Sequence, residues 1–149
     1  MFEETIDEFA HAASDDVGIL LGRAYSAATS AALARLNEAG HPAVRIAHLA
    51  VFMAIAADGS HISAMAKASG MTRQAMSALV RDVEAAGYVE SIPDPADGRA
   101  VLVRLTDRGA AFCRQAVEIG REFSQSLERA LGADEVDRLR SALRVIAAQ

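Results

Sequence analysis

A chain of 149 residues with 52% hydrophobic and 23% charged side chains can bury a core; its length fits one domain, or one domain with helical extensions. Its single cysteine, Cys113, excludes a disulfide framework, no run approaches the roughly 20 apolar residues of a membrane span, and the acidic start Met1-Phe2-Glu3-Glu4 is unlike a signal peptide. A net charge of −5 argues against nucleic acid, yet residues 1–60 hold eight acids and three bases, while 61–108 and 109–149 each hold six of both.

A soluble, cytoplasmic protein with no membrane partner is the expectation. After a short acidic lead, about Ser14 to Asn37 reads as one helix, with Val17, Leu21, Ala24, Ala28, Ala31 and Ala32 at helical spacing. Gly40 stops it. Pro42 then sits in the first turn of a helix to about Ala57, apolar nearly all round and so expected to be buried. Ser63 to Ser69 is a short helix, Gly70-Met71 a tight break, and Thr72 the N-cap of a second helix to Ala86, closed by Gly87. Two strand-like runs, Tyr88 to Ile92 and Ala100 to Leu105, flank Pro93-Asp94-Pro95-Ala96-Asp97-Gly98-Arg99, a stretch dense in turn formers. Helix, break, helix and hairpin make a winged helix-turn-helix.

The last third returns to helix, with one apolar stripe through Phe112, Ala116, Ile119, Phe123, Leu127 and Leu131 and another through Val136, Leu139, Leu143 and Ile146. These stripes and that of the first helix exceed what one small winged domain can cover, so a homodimer is expected. The fold class is mainly α, a winged helix-turn-helix with N- and C-terminal dimerisation helices. Residues 1–57 form the N-terminal dimerisation and linker part, 58–106 the winged domain and 107–149 the C-terminal dimerisation helices.

The opening Thr72-Arg73-Gln74-Ala75-Met76-Ser77 carries the main functional signal. A recognition helix presents its first turns to the major groove. There Arg73 can bind guanine or phosphate, Gln74 can pair with adenine, and Ser77 can reach either. Free N–H groups near Thr72 suit a phosphate. Fourteen of the 15 basic residues are arginine, whose planar fork matches phosphate and guanine edges. Arg81 lies further along the same face, and Arg99 ends a proline-framed loop fit to enter a minor groove. Asp97 supports the wing by pairing with a base such as Arg81. The plainer alternative is an amphipathic helix with a polar outer face beside a solvated turn.

The stretch D-P-A-D-G-R-A-V-L-V-R-L-T-D-R-G, residues 94–109, resembles the wing signature of the MarR family of multiple antibiotic resistance regulators. M-T-R-Q-A-M-S-A-L-V-R-D-V-E-A-A-G-Y-V, residues 71–89, is similar to that family's recognition helix and first wing strand. The resemblance implies a homodimer on a pseudo-palindromic operator in double-stranded DNA, with Arg99 as wing-tip contact and Asp97 as its structural partner. It carries DNA contacts to Thr72, Arg73, Gln74 and Ser77. Members are usually repressors, and many leave DNA when a small molecule binds between the dimerisation helices and the winged domain. Three positions depart from the pattern: Asp82 where arginine is common, Ser91 where arginine is frequent, and Ser69 where a larger apolar residue is usual.

In such a regulator Tyr25, Arg45 and His48 are the effector-pocket candidates, for a small anionic or aromatic ligand held through the guanidinium. The competing assignment pairs Arg45 with an acid of the first helix and places His48 in the dimer interface. His11, His41, His48 and His61 are scattered without metal-ligand spacing, so neither metal nor other cofactor is expected. Cys113 reads as a small packed residue. No nucleophile elbow or phosphate loop suggests an enzyme. The rival function is a dimeric winged-helix protein-interaction module with weak or no DNA binding, which the near-neutral wing and Asp82 favour.

Overall fold

Two short polar side chains set where the long helices begin. Asp16 accepts from the Ile19 N–H (2.9 Å) to open α2 (Val17–Glu38), and Thr106 accepts from the Gly109 N–H (3.1 Å) to open α6 (Asp107–Leu131). In the computed structural model, which describes residues 2–98 and 100–148, α2 packs on α6 and both contribute to one core through Leu33, Leu36, Phe112 and Ile119. After Gly132, α7 (Ala133–Ala147) packs on α6 and buries Val136. The short acidic lead, to which no element was assigned in the sequence, is itself a helix, α1 (Phe2–Ser14). Phe2, Ile6 and Phe9 lie at helical spacing, and acids in the first turns favour a helix N-terminus.

The helix expected over Pro42 to Ala57 is broken up. Pro42 and Ala43 form a turn, Ile46–His48 is a single 3₁₀ turn, and only α3 (Leu49–Ala54) is α-helical. His41 and Val44 are drawn into the core on either side of Pro42 and Ala43, and Arg45 after them is extended. The His48 side chain then caps the backbone by accepting from the Arg45 N–H (3.2 Å). This segment is not buried all round either: Ile46 is 44% exposed and Met53 88%.

The winged unit follows the expected order. Its helices α4 (Ile62–Ala68) and α5 (Arg73–Ala85) are joined through Gly70, and Thr72 caps α5 by accepting from the Ala75 N–H (3.1 Å). Gly87 stops α5 in the left-handed region (φ +79°), where the Tyr88 N–H reaches back to the Val83 carbonyl (2.9 Å). Strands β1 (Val89–Pro93) and β2 (Val101–Leu105) pair antiparallel, with Val89 opposite Leu105 and Pro93 opposite Val101. Ser60 adds a one-residue bridge on the outer side of β2, exchanging bonds with Val103 (3.0 and 2.9 Å). Met65, Met76, Val80, Val83, Tyr88, Val89 and Val103 fill the space between helices and hairpin.

The chain ends leave apolar faces open. Phe2 is 80% exposed and Phe9 71%, with Phe123, Leu131, Leu139, Leu143 and Ile146 also exposed. By length and mean hydropathy (1.2) α2 is long and apolar enough to cross a membrane, contrary to the expectation that no run approaches such a span. Alanines at 24, 27, 28, 31, 32 and 34 contribute much of that value, and Arg23 and Arg35 lie on the same helix.

Candidate nucleic-acid interface

Helix α5 is divided cleanly into two faces. Met76, Val80 and Val83 are buried at steps of four and three, which fixes the helix on the domain and turns Thr72, Arg73, Gln74 and Arg81 outward. Ser77 is half-buried beside them. Among the described residues no hydrogen bond or ion pair engages the side chains of Arg73, Gln74 or Arg81, so their donors are available to a groove. The Thr72 oxygen is committed to its cap.

Asp82 does not leave a bare negative charge on this helix. Arg45 donates to it from Nη2 (2.7 Å), and His48 Nε2 stands 3.4 Å from the same oxygen. The Arg45 partner is therefore on α5, not on the first helix as the competing assignment had it. His48 has a side chain only 3% exposed within the single chain. Its Nδ1 accepts from the Arg45 N–H, and its Nε2 lies 3.0 Å from Arg45 Nη2 and 3.4 Å from the Asp82 carboxylate. Segment 45–48 is thereby clamped to α5, and its polar groups are satisfied there.

The wing is tied to the body at its base. Glu84 of α5 accepts from the Ser91 N–H (2.6 Å), and Arg104 pairs across the strands with its register partner Glu90 (3.0 Å). At the turn the Asp94 N–H donates to the Ala100 carbonyl (2.9 Å), and Asp94 Oδ1 accepts from the Ala96 N–H (2.8 Å). Its other oxygen, Oδ2, lies 3.1 Å from His61 Nε2, while His61 Nδ1 lies 3.2 Å from the Val101 carbonyl. Among the described residues no ion pair joins Asp97 to Arg81, the partnership suggested by the sequence; the Asp97 carbonyl instead accepts from the Ala100 N–H (2.8 Å). Arg99 lies outside the described residues. The ties made by His61, Glu84 and Asp94 were not foreseen in the sequence, although the Asx-turn chemistry of Asp94 was visible within its run of turn formers.

Of the cavities lined in part by α2, two bear on the effector candidates. Tyr25, exposed, lines one of about 450 Å³ with Ile46, Ala50, Met53, Ser69 and Met71. The other, about 540 Å³, lies between α2 and α6 and is walled by Ala28, Leu36, Leu49, Ile119 and Phe123, with Arg129 among its polar groups. Arg45 and His48 line neither. Burial pushes the Cys113 thiol up, against a smaller opposite pull from Arg114, so the thiol is not poised as a thiolate.

The MarR family model matches residues 44–100, from the linker to the wing tip. The multiple antibiotic resistance protein MarR of Escherichia coli K12 is 44% identical over 61 residues, 40% of this chain and 42% of that protein. The match to the MarR proteins thus spans about two fifths of their length. The transcriptional repressor NicR of Pseudomonas putida is 27% identical over 131 residues, 87% of this chain and 81% of its own. Among solved structures, BpsR of Bordetella bronchiseptica, whose DNA binding is regulated by 6-hydroxynicotinic acid, aligns with a TM-score of 0.68 at 25% identity, covering 91% of this chain and 96% of that one. Wild-type MarR from E. coli aligns with a TM-score of 0.61 at 32% identity, covering 85% of this chain and 96% of that one. A match at 32% identity over 85% of this chain and 96% of that one, together with the family model over residues 44–100, places the chain in the MarR family.

Proposed function

We propose that the protein is a sequence-specific transcriptional regulator of the repressor type. It acts in the cytoplasm as a homodimer on a pseudo-palindromic operator, and has no catalytic activity of its own. The outer face of α5 carries this reading, because Arg73 and Gln74 project from the first turns with their hydrogen-bonding groups unspent. The open apolar faces of α1, α6 and α7 supply the surface for a second copy. The two recognition helices then enter successive major grooves roughly 34 Å apart, with Arg99 in the flanking minor grooves. The objection from Asp82 weakens, because Arg45 neutralises it within the chain.

The effector site we favour is the cavity between α2 and α6. Its apolar walls suit an aromatic ring, and Arg129 suits a carboxylate. Arg45 and His48 then have a mechanical role, seating the linker on α5. Release follows if the ligand prefers a half-site spacing unlike that of the operator.

The test is a gel-shift titration with DNA upstream of the protein's own gene, followed by selection from a random-sequence pool. Arg73→Ala is expected to cost about 1–3 kcal/mol and to relax preference at one base position. Arg99→Ala is expected to weaken binding and lower the slope of log affinity against log salt by about one. Selection of no sequence, with neither variant altering any binding, would sink the DNA reading and leave the protein-interaction module.

A further inference from the structure

Resting on the DNA-binding reading, we infer that Asp82 is a positioning residue for the recognition helix: paired with Arg45, it fixes the roll of α5 about its own axis. An acid on the DNA-reading helix then supports sequence recognition rather than opposing it. The reasons begin with how the helix is held. The apolar seam of Met76, Val80 and Val83 presses α5 onto the domain. Apolar contacts are non-directional, so directional bonds have to set the finer orientation of the face that carries Arg73 and Gln74.

Two carboxylates in the second half of α5 supply those bonds. Glu84 accepts from the Ser91 N–H of β1 (2.6 Å), on the wing side. Asp82 accepts from Arg45 Nη2 (2.7 Å), on the linker side. At about 100° per residue, positions 82 and 84 lie about 160° apart around the helix, one on each flank of the apolar seam. Rotation of α5 in either sense therefore lengthens one of the two ties.

The linker end of the Asp82 tie is itself anchored. Val44, next to Arg45, is buried in the core, and the Arg45 N–H is held by His48 Nδ1 (3.2 Å). The His48 side chain is nearly fully buried, with Nε2 3.0 Å from Arg45 Nη2 and 3.4 Å from the Asp82 carboxylate. A lone surface ion pair contributes little to stability. This one joins α5 to an anchored segment, so its effect is on geometry. Side-chain contacts to base edges tolerate little misplacement and weaken when the helix rolls. Attraction to phosphates that ignores sequence follows charge, and such a roll leaves it intact.

The experiment compares the two kinds of binding. Wild type, Asp82→Asn, Arg45→Gln and the double variant are each checked for an unchanged helical spectrum. They are then titrated at one pH and one salt concentration against a sequence that the wild type selects from a random pool, and against an unrelated duplex. Asp82→Asn removes a negative charge, so charge alone would tighten both kinds of binding. The expected result is an about three- to tenfold loss on the selected sequence, with affinity for the unrelated duplex unchanged or raised. Arg45→Gln should weaken selected-sequence binding by a similar factor. The double variant should be no weaker than the weaker single one, because both changes break the same bond. Unchanged or tighter binding of Asp82→Asn to the selected sequence would overturn the inference, and so would additive losses in the double variant. Equal losses on both duplexes would overturn it too, since a roll of the helix touches only the reading of sequence. Failure of the wild type to select any sequence sinks the DNA reading and this inference with it.

Discussion

Phe112→Ala lowers the free energy of unfolding by about 3–5 kcal/mol, the usual cost of deleting a buried ring. The side chain is 1% exposed and stands where four segments meet. Its ring centroid lies 4.4 Å from Phe52 on α3, 5.3 Å from His41 in the turn after α2 and 5.8 Å from Tyr88 at the start of the wing. The cavity left by truncation does not close easily. Tyr88 is tethered through its hydroxyl to His41 Nδ1 (3.1 Å), and the Arg108 guanidinium stacks on its ring (4.7 Å). Urea unfolding at one fixed protein concentration reads the effect, since any subunit association adds its own concentration dependence. Phe112→Leu, which keeps most of the volume, should lose much less. A loss below about 1 kcal/mol for the alanine variant would show that the ring cluster is not the joint of the domain.

The second large effect belongs to Gly109, in the first turn of α6. A Cβ at this position would fall 2.0 Å from the Tyr88 carbonyl oxygen and 3.0 Å from a Leu105 methyl. No rotamer relieves a clash between a Cβ and a backbone oxygen. Gly109→Ala therefore has to push α6 away from the wing, and it strains the two bonds of Thr106 that hold them together: its hydroxyl to the Gly87 carbonyl (2.6 Å) and its N–H to Tyr88 (3.1 Å). The expected destabilisation is about 3 kcal/mol, at the upper end of overpacking costs. DNA affinity should fall with it, because the displaced element is the base of the wing. Gly120→Ala is the control in the same helix. Its new Cβ has nothing within 4 Å, and helix propensity alone makes it stabilising by about 0.5–1 kcal/mol. If both variants behave alike, close approach at Gly109 is not what fixes α6.

Much of the winged domain was legible because its local signals agree with one another. Thr72 is an N-cap in sequence and in structure, Gly87 supplies the left-handed stop that α5 needs, and the turn formers from Asp94 to Gly98 follow the first of the two expected strands. The linker was misread because its apolar pattern is helical, while tertiary contacts of His41 and Val44 override it. Side-chain partnerships at long range were the hardest to see. Arg45 finds Asp82, 37 residues away, and His61 finds Asp94, and no spacing rule connects either pair. The charge at Asp82 had argued against DNA precisely because its neutralising partner was invisible in one dimension. The sequence reading also had no means of separating Arg45 as a ligand-binding arginine from Arg45 as a clamp.

The hairpin raises a different matter, that of how a protruding β-ribbon avoids recruiting strangers. Ser91 and Val103 face each other as a pair whose backbone groups point away from the shared ladder, toward the two outer edges. On the β2 side Ser60 occupies both groups of Val103, and His61 occupies the carbonyl of Val101. On the β1 side the Glu84 carboxylate takes the N–H of Ser91, and Pro93 has no N–H to offer. Open edges of this kind template strand addition and amyloid-like stacking. Here several of the groups that would do so are spent on a bridge, a ring and a carboxylate, or removed by a proline. The wing thus extends from the domain with both of its edges partly blunted against edge-to-edge aggregation.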